Sequence, residues 1–321
     1  SQTFEFPGKR ELRGRIAEEE SAQSRAELDV IRLDIVFGVK EAFLGLLLAQ
    51  EKSSYVERDL ELSRDFEAMA ELKYSAGDVA KVEVLRAKLE TVQAANALRV
   101  AADAERLAKA RLNSVMALPQ STSMSIVGEL KRPLLDLDVT RLRREAVESR
   151  PELRRISSEV ERIHLRQEQT RLTKKRDFDV NLSDQYLREL PASWSFALSV
   201  PLPVLFTQRQ DAEIEESQAT LGALSQTAAN LRNVIALEVE TAYTKATTSQ
   251  KQINLYETDL LPQAEEVYEM FLFSYGEGEI GGIELIEARK TLNEVRTSYA
   301  DVLFEYALTL ALIERAVGRA P

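Results

Sequence analysis

The amino-acid sequence predicts a mainly α-helical protein with a small β part, built from long helical hairpins that occur twice along the chain. Three observations lead to this fold class. The composition favours long helices, because 30 % of the 321 residues are charged while only 12 are Gly and 9 are Pro. The second half of the chain repeats the first half. Two short segments alternate between apolar and polar residues, as strands do.

The repeat consists of matching residues that keep their order over about 60 positions. In its first part the offset is 200, so that Phe43 recurs as Tyr243. The other matches at this offset pair Arg32, Ile35, Val39, Ala42, Gln50, Asp59 and Leu60 with Arg232, Ile235, Val239, Ala242, Gln250, Asp259 and Leu260. Beyond a one-residue insertion near Pro262 the offset is 201, and there Tyr74, Gly77, Glu83, Leu85 and Ala87 recur as Tyr275, Gly278, Glu284, Ile286 and Ala288. We interpret the chain as a tandem duplication.

Each copy is predicted to contain a long helix, a turn with a glycine and a second helix. The two hairpins are predicted at 9–75 with 79–116 and at 211–275 with 280–317. A first helix of ~65 residues would be about 100 Å long. Between the copies we expect a connector at 119–138, a short helix at 139–148 and a helix from 151 to about 176.

The last predicted helix shows how the helices pack. Apolar residues recur there at intervals of seven: Leu285, Leu292, Tyr299, Tyr306 and Ile313. This period of 3.5 residues predicts left-handed supercoiling of neighbouring helices. We interpret these residues as core that builds a wall of helices and carries no chemistry.

The alternating segments at 178–186 and 193–200 predict a β-hairpin, and Phe4 and Phe6 predict the end of a matching strand. One face of each segment is apolar and the other is small or polar. Barrel strands in a lipid bilayer need this pattern over about 9–11 residues. Three strands cannot close a barrel, and open sheet edges are not tolerated in lipid. We therefore expect several copies of the chain to share one barrel.

Other classes of protein are disfavoured by the composition. The formal net charge of −11 argues against nucleic acid as a partner. The chain has no Cys and a single His, His164, so we expect neither a disulfide framework nor a metal site. No glycine-rich phosphate loop and no nucleophile beside a base is evident in the sequence. We expect no cofactor, no catalytic residue and no enzymatic activity.

Several motifs resemble those of the TolC-like family of outer-membrane efflux proteins, and the likeness covers nearly the whole chain. Arg150-Pro151-Glu152-Leu153 resembles a helix start of the family, and residues 199–206 (SVPLPVLF) resemble its strand-to-helix junction. The segments 74–77 (YSAG) and 275–278 (YGEG) resemble its hairpin tips. Residues 4–10 (FEFPGKR) resemble the branch of the family that serves heavy-metal exporters of the resistance-nodulation-division type.

The resemblance implies a homotrimer in which four strands per copy close a twelve-stranded barrel in the outer membrane of a Gram-negative bacterium. The helices would then form a tunnel through the periplasm. The implied partners are a periplasmic adaptor (membrane fusion) protein, an inner-membrane transporter of the resistance-nodulation-division type and outer-membrane lipid, with heavy-metal cations as the suggested cargo. The first helix and strand of copy one are missing from the sequence, so we expect this chain to supply three of the four strands.

Two sets of residues are predicted to be functional, and both lie near the hairpin tips. The first set is expected to dock the adaptor: Tyr74, Gly77, Asp78, Val79, Tyr275, Gly278, Glu279 and Ile280. Chain reversal alone would explain the two glycines. The second set is expected to form an acidic ring at the pore mouth: Glu277, Glu284 and Glu287. Such a ring would favour cations. The alternative is a solvated outer face on which Glu287 pairs with Arg289 or Lys290.

In terms of domains, we predict a first repeat at 1–118, an equatorial connector at 119–150 and a second repeat at 151–321 with a β-hairpin at 178–206. The predicted function is a passive outer-membrane channel-tunnel of a tripartite efflux system. The alternative is a soluble periplasmic coiled-coil adaptor or scaffold. That alternative accounts for the heptads but not for the alternating strands or the order of the motifs.

Overall fold

A computed structural model describes residues 2–130, 138–173, 175, 177–185, 193–200 and 207–319. The described elements are β1 (Gln2–Phe4), α1 (Lys9–Ala76), α2 (Lys81–Val115), α3 (Val139–Ser149), α4 (Pro151–Thr173), β2 (Phe178–Gln185), β3 (Ser193–Ser199), α5 (Thr207–Leu255), a π-helical segment (Tyr256–Leu260), α6 (Leu261–Glu277) and α7 (Gly282–Val317). The predicted fold class, mainly α with a small β part, is confirmed. None of the helices in these ranges has a stretch long and apolar enough to cross a membrane.

Two helices begin later than predicted. α2 starts at Lys81 and α7 starts at Gly282, so Val79 and Ile280 lie in the turns that precede them. Ala80 and Gly281 have extended backbones, with ψ of 152° and 165°, and they act as N-caps. A residue in this conformation cannot be part of the helix. The predicted helices began too early because the apolar pattern continues into Val79 and Ile280.

Other boundaries also differ from those predicted. α5 begins at Thr207, four residues before the predicted start at 211, and α4 ends at Thr173 instead of about 176. β1 ends at Phe4, so Phe6 is not part of a strand; its backbone N–H instead donates to Oδ1 of Asp177 at 2.7 Å. The predicted strand end at Tyr186, the hairpin turn at 187–192 and the junction at 201–206 lie outside the described residues.

The helix predicted as continuous over 211–275 is interrupted by the π-helical segment Tyr256–Leu260. This segment ends two residues before Pro262, where the sequence repeat gains one residue. A π-helical turn holds one residue more than the α-helical turn it replaces. Proline also lacks the N–H that an α-helical bond would need. The insertion is therefore absorbed inside the helix, and the sequence beyond it returns to the packing register of the first copy.

Contacts between residues divide the chain into two units, each with segments from both halves of the sequence. The first comprises Ser1–Arg32 with Glu145–Leu237, and the second comprises Leu33–Arg144 with Glu238–Pro321. These units follow spatial packing, whereas the predicted boundaries follow the sequence repeat. The division into 1–118, 119–150 and 151–321 stays a prediction.

In the first unit, α4 packs along the start of α1. Leu12, Ile16 and Leu165 form a buried cluster, with Leu172 packed beside it. Ion pairs flank this seam at Arg15–Glu161, Arg154–Asp29 and Arg166–Glu20. At the start of α4 the buried Arg150 donates two hydrogen bonds to the carboxylate of Glu152, at 2.9 and 2.8 Å. This bidentate contact gives the Arg-Pro-Glu motif a structural role.

The three strands form an antiparallel sheet in the order β1-β2-β3. Val180 pairs with Leu198 and Leu182 pairs with Phe196, so the apolar residues share one face as predicted. Leu182 and Phe196 are 62 % and 69 % exposed. The apolar face of the sheet therefore has no cover within the described residues of this single chain.

In the second unit, α1 and α2 pack with α7. The heptad positions Leu285, Leu292, Tyr306 and Ile313 are buried, which confirms them as core. Tyr299, predicted with them, is only half-buried, because its hydroxyl donates to Glu257 at 2.8 Å. Ion pairs cross between α1 and α7 at Lys52–Asp301, Lys40–Glu314 and Asp34–Arg315. Such pairs are half exposed and contribute little to stability by themselves. Most of the stabilisation comes from the buried apolar seam.

A buried ionic network connects these three helices. Arg289 of α7 is 4 % exposed and bonds Asp59 and Ser63 of α1, at 2.5 and 2.7 Å, and Glu90 of α2, at 2.9 Å. Lys290 bonds the same Glu90 at 2.8 Å. The position of the first repeat that corresponds to Arg289 is Lys88, which is half exposed and pairs with Glu71. The network is therefore present once in the described unit, although the sequence is duplicated.

Replacing Arg289 by Met should destabilise the second unit, because Asp59 loses its partner while remaining largely buried. Removing one member of a buried ion pair costs roughly 3 kcal/mol. Lys88→Met is the matched control, and its cost should stay below about 0.5 kcal/mol because the pair it breaks is exposed. Denaturant unfolding in detergent, followed by helical circular dichroism, measures both. Equal stability of the two variants would contradict this role of Arg289.

Candidate functional site

The two hairpin tips have the same backbone construction. Gly77 and Gly278 have positive φ of 87° and 82°. At the first tip, the N–H of Gly77 donates to Tyr74 and the N–H of Asp78 donates to Lys73, at 3.1 and 2.9 Å. At the second tip, Gly278 and Glu279 make the same bonds to Tyr275 and Ser274, at 3.2 and 2.9 Å. Both are Schellman motifs, which close a helix end with a left-handed residue. The predicted reversal at the glycines is confirmed.

The tyrosines of the two tips lie in different environments. Tyr275 is 1 % exposed and packs against Phe66 of α1, with ring centroids 5.3 Å apart, whereas Tyr74 is 46 % exposed. Burial, aided by the nearby carboxylate of Glu83, raises the pKa of the Tyr275 phenol. Among the described residues, neither the Tyr275 hydroxyl nor Oε1 of Glu83 completes a well-formed hydrogen bond. The tyrosine of the second tip is therefore part of the core, whereas the tyrosine of the first tip faces outward.

Lys73 brings the two tips together. Its Nζ donates to the carbonyl of Gly276 at 2.9 Å and lies 5.3 Å from the centre of the Tyr275 ring. The carbonyls at the end of a helix carry partial negative charge and attract cations. Lys73 belongs to the first repeat and Gly276 to the second, so this contact places the ends of α1 and α6 at the same level.

Gly282 permits a close approach between the two hairpins at the start of α7. A Cβ at this position would lie 2.7 Å from a ring carbon of Phe66 and 2.9 Å from Oε1 of Glu83. Both distances are shorter than van der Waals contact allows. Any side chain larger than hydrogen would therefore require the side chains of Phe66 and Glu83 to shift. This position is a close-packing requirement that the sequence alone did not show.

The predicted acidic residues lie on the surface of the second tip. Glu277, Glu284 and Glu287 are all exposed. Arg289 and Lys290, the two partners considered for Glu287, bond Asp59 and Glu90 instead. Within the described part of the chain, Glu284 and Glu287 have no ion-pair partner.

Glu284 also has a structural role at the start of α7. It is the third residue of α7, where a carboxylate interacts favourably with the positive end of the helix. Its Oε2 lies 3.1 Å from the position that a Cβ on Gly281 would occupy, so the side chain folds back over the N-cap. Glu287, one turn further along, has no comparable contact in the described residues.

A cleft of about 320 Å³ lies between α1, α6 and α7, next to the tips. Its lining is mostly apolar and includes Phe66, Met69, Tyr268 and Leu272, with the guanidinium of Arg289 as the buried polar group. The tips, the acidic residues and this cleft form one region at the end of the second unit.

Most of the predicted docking residues lie at one end of the unit. Some of them are exposed and others are partly or fully buried. Asp78, Glu279 and both glycines lie on the exposed turns, while Val79 and Ile280 are half-buried. Ile280 packs against the core of the tip. Sequence reasoning missed Lys73 and Gly282 as contacts between the hairpins. The residue before each repeated tip tyrosine was a possible signal, since it is Lys in one copy and Ser in the other.

Comparison with known proteins agrees with this geometry. The family model of the outer membrane efflux protein matches residues 142–319, more than half of the chain. The cobalt-zinc-cadmium resistance protein CzcC of Cupriavidus metallidurans is 23 % identical, over 98 % of this chain and 75 % of its own length.

Solved structures show the same fold. The outer-membrane channel OprN superposes with a TM-score of 0.82 at 15 % identity, covering 97 % of this chain and 72 % of OprN. CusC superposes with a TM-score of 0.82 at 12 % identity, covering 99 % and 76 %. The duplicated hairpins, the strand pair and the family match together show that this chain belongs to the outer membrane efflux protein family and is an outer-membrane efflux channel component.

Proposed function

We propose that three copies of this chain form a channel-tunnel in the outer membrane of a Gram-negative bacterium, and that its hairpin tips dock a periplasmic adaptor protein. The main support for this proposal is the pair of matching Schellman motifs at the two tips. The hydrogen bond from Lys73 to Gly276 holds these tips side by side at one end of the second unit. They present Asp78, Glu279 and Tyr74 to solvent. An inner-membrane transporter of the resistance-nodulation-division type would deliver the cargo through the adaptor.

The sheet supports the trimer and its place in lipid. Its apolar face is uncovered, and the described part of the chain has only three paired strands. An apolar strand face beside a polar one is suited to a barrel wall between lipid and water. Three copies, each completed by a fourth strand, would close a twelve-stranded barrel. The chain would act as a passive conduit without catalytic activity, and transport energy would come from its partners.

The cargo proposed is divalent heavy-metal cations. The similarity to CzcC, a protein named for cobalt, zinc and cadmium resistance, supports this class of cargo. Glu284 and Glu287 support it independently, since both are exposed and neither has an ion-pair partner among the described residues; threefold symmetry would turn them into a ring of six carboxylates with Glu277 nearby. Such a ring concentrates cations at a pore mouth.

Cross-linking tests the docking proposal. A cysteine at Asp78 or Glu279 should cross-link to the cognate adaptor, because both residues lie on the exposed turns. The background contains no other cysteine. A cysteine at Asp103, which is also highly exposed but lies far along α2, serves as the control and should not react with the adaptor. Cross-linking at Asp103 as efficient as at the tips would refute docking by the tips.

Planar-bilayer conductance tests the acidic ring. Glu284→Gln combined with Glu287→Gln should lower the cation-over-anion permeability ratio several-fold, because the focused negative potential is lost. Glu57→Gln with Glu61→Gln is the matched control, since it removes the same charge from exposed positions of α1 away from the tips. Unchanged selectivity in the tip variant, measured at low salt where screening is weak, would rule out the ring.

A further inference from the structure

The cleft between α1, α6 and α7 is large enough to hold a small molecule. Its volume is about 320 Å³. A cavity of about 150 Å³ lined by apolar side chains is already large enough to bind benzene. The cleft therefore has room for a molecule of about two fused rings. Pockets that bind small molecules are mostly apolar and contain a few polar groups that fix the orientation of the ligand.

The walls of the cleft are mainly aromatic and aliphatic. Burial raises the pKa of the Tyr268 phenol, so this ring stays neutral near pH 7. Among the lining side chains, only Asp65 and Arg289 carry a charge. The apolar lining includes Leu62, Phe66 and Met69 of α1, Tyr268 and Leu272 of α6, and Ile286 of α7.

The apolar lining on α6 is a property of the second repeat and is not shared by the first. Through the repeat offset of 201, Tyr268 and Leu272 correspond to Glu67 and Glu71 of α1. In the first repeat, Glu71 pairs with Lys88 in a half-exposed ion pair. The apolar surface that α6 turns toward α1 and α7 therefore arose by divergence between the copies and is not explained by the duplication.

The guanidinium of Arg289 supplies one unused hydrogen-bond donor at this cleft. Its two terminal nitrogens bond Asp59, Ser63 and Glu90. Its Nε has no hydrogen-bond partner among the described residues, although the side chain is only 4 % exposed. A buried donor without an acceptor is unfavourable. An acceptor on a molecule in the cleft would recover this free energy.

The surrounding charges favour a neutral acceptor over an anion. Arg289 bonds the carboxylates of Asp59 and Glu90, and Lys290 bonds Glu90 as well. Asp65 adds a third carboxylate among the lining residues. These two cations and three carboxylates leave one net negative charge beside the cleft. An anionic ligand would be repelled by this charge, whereas a carbonyl oxygen can accept from Nε without adding charge.

We propose that this cleft binds a small neutral aromatic molecule of about two fused rings, whose carbonyl oxygen accepts a hydrogen bond from Nε of Arg289. Its rings contact Phe66, Met69 and Leu272. Because these residues belong to α1 and α6, the bound molecule bridges the two hairpins next to the tips. The site is formed by one chain and does not depend on the proposed trimer.

Protection of a cysteine from alkylation tests the site in the purified, detergent-solubilised protein, with 2-acetylnaphthalene as the probe. Met69→Cys on α1 and, separately, Leu272→Cys on α6 place the only thiol of the chain in the cleft. A charged, water-soluble maleimide should alkylate either thiol about tenfold more slowly when the free probe is at ten times its dissociation constant.

Val127→Cys is the control, because Val127 is 95 % exposed in the connector. Its alkylation rate should not change, which also shows that the probe does not act through the detergent. Full reactivity of both cleft thiols in the presence of the probe, or equal protection of Val127→Cys, would overturn the proposal.

The hydrogen bond is tested by changing the probe, since replacing Arg289 should destabilise the unit. 2-Ethylnaphthalene has nearly the same shape but no acceptor, and it should need an about tenfold higher free concentration for the same protection. Equilibrium dialysis gives the free concentrations. 2-Naphthoate should also bind more weakly than the ketone. Equal protection by 2-ethylnaphthalene would refute the role of Nε, and tighter binding of 2-naphthoate would refute the preference for a neutral ligand.

Filling the cleft gives an independent readout. Met69→Trp should abolish the protection of Leu272→Cys, because the indole ring takes the place of the probe. Met270→Trp is the matched control, since Met270 is the repeat-equivalent residue of α6, is 62 % exposed and does not line the cleft. Leu62→Phe repeats the test with a smaller added volume. Protection that persists in both filled variants, with their folding checked by circular dichroism, would contradict the site.

Discussion

The packing of one hairpin against the other is the interaction on which the rest of this structure depends. α1 and α2 contact α7 through an apolar seam and through the buried Arg289, which bonds both earlier helices. A helix of this length is not stable through hydrogen bonds alone, since helices in proteins are stabilised mainly by burial of an apolar face. The tips, the cleft and the acidic surface are all positioned by this seam.

Duplication followed by divergence explains why the two repeats differ at equivalent positions. Tyr275 is buried where Tyr74 is exposed, and Arg289 is buried where Lys88 is exposed. In each pair, the residue of the second repeat contacts the first repeat. The two repeats therefore contact each other through residues that have diverged between the copies, and the equivalent positions of the first repeat are left exposed.

Sequence patterns predicted the features that depend on local chemistry. The positive φ of Gly77 and Gly278 follows from the freedom of glycine, and the strand pattern gave the correct apolar face of the sheet. The helix starts were missed by two residues, because Val79 and Ile280 continue the apolar pattern into the turns. The insertion near Pro262 was visible in the repeat, but its form as a π-helical turn depends on hydrogen bonds within the folded helix.

The contacts of the candidate site were less predictable, because they join residues that are distant in sequence. Lys73 reaches a carbonyl about 200 residues away, and Gly282 matters only because Phe66 and Glu83 approach it. The acidic residues were predicted from spacing, yet only the fold shows that Arg289 and Lys290 bond Glu90 and not Glu287. Contacts between residues so distant in sequence become visible only in the folded structure.

Electron cryo-microscopy of the purified protein in a lipid nanodisc tests the proposed channel most directly. We predict a threefold tunnel in which the apolar faces of β2 and β3 contact lipid. A particle in which these apolar faces remain uncovered, or in which the chain is a single copy, would contradict it.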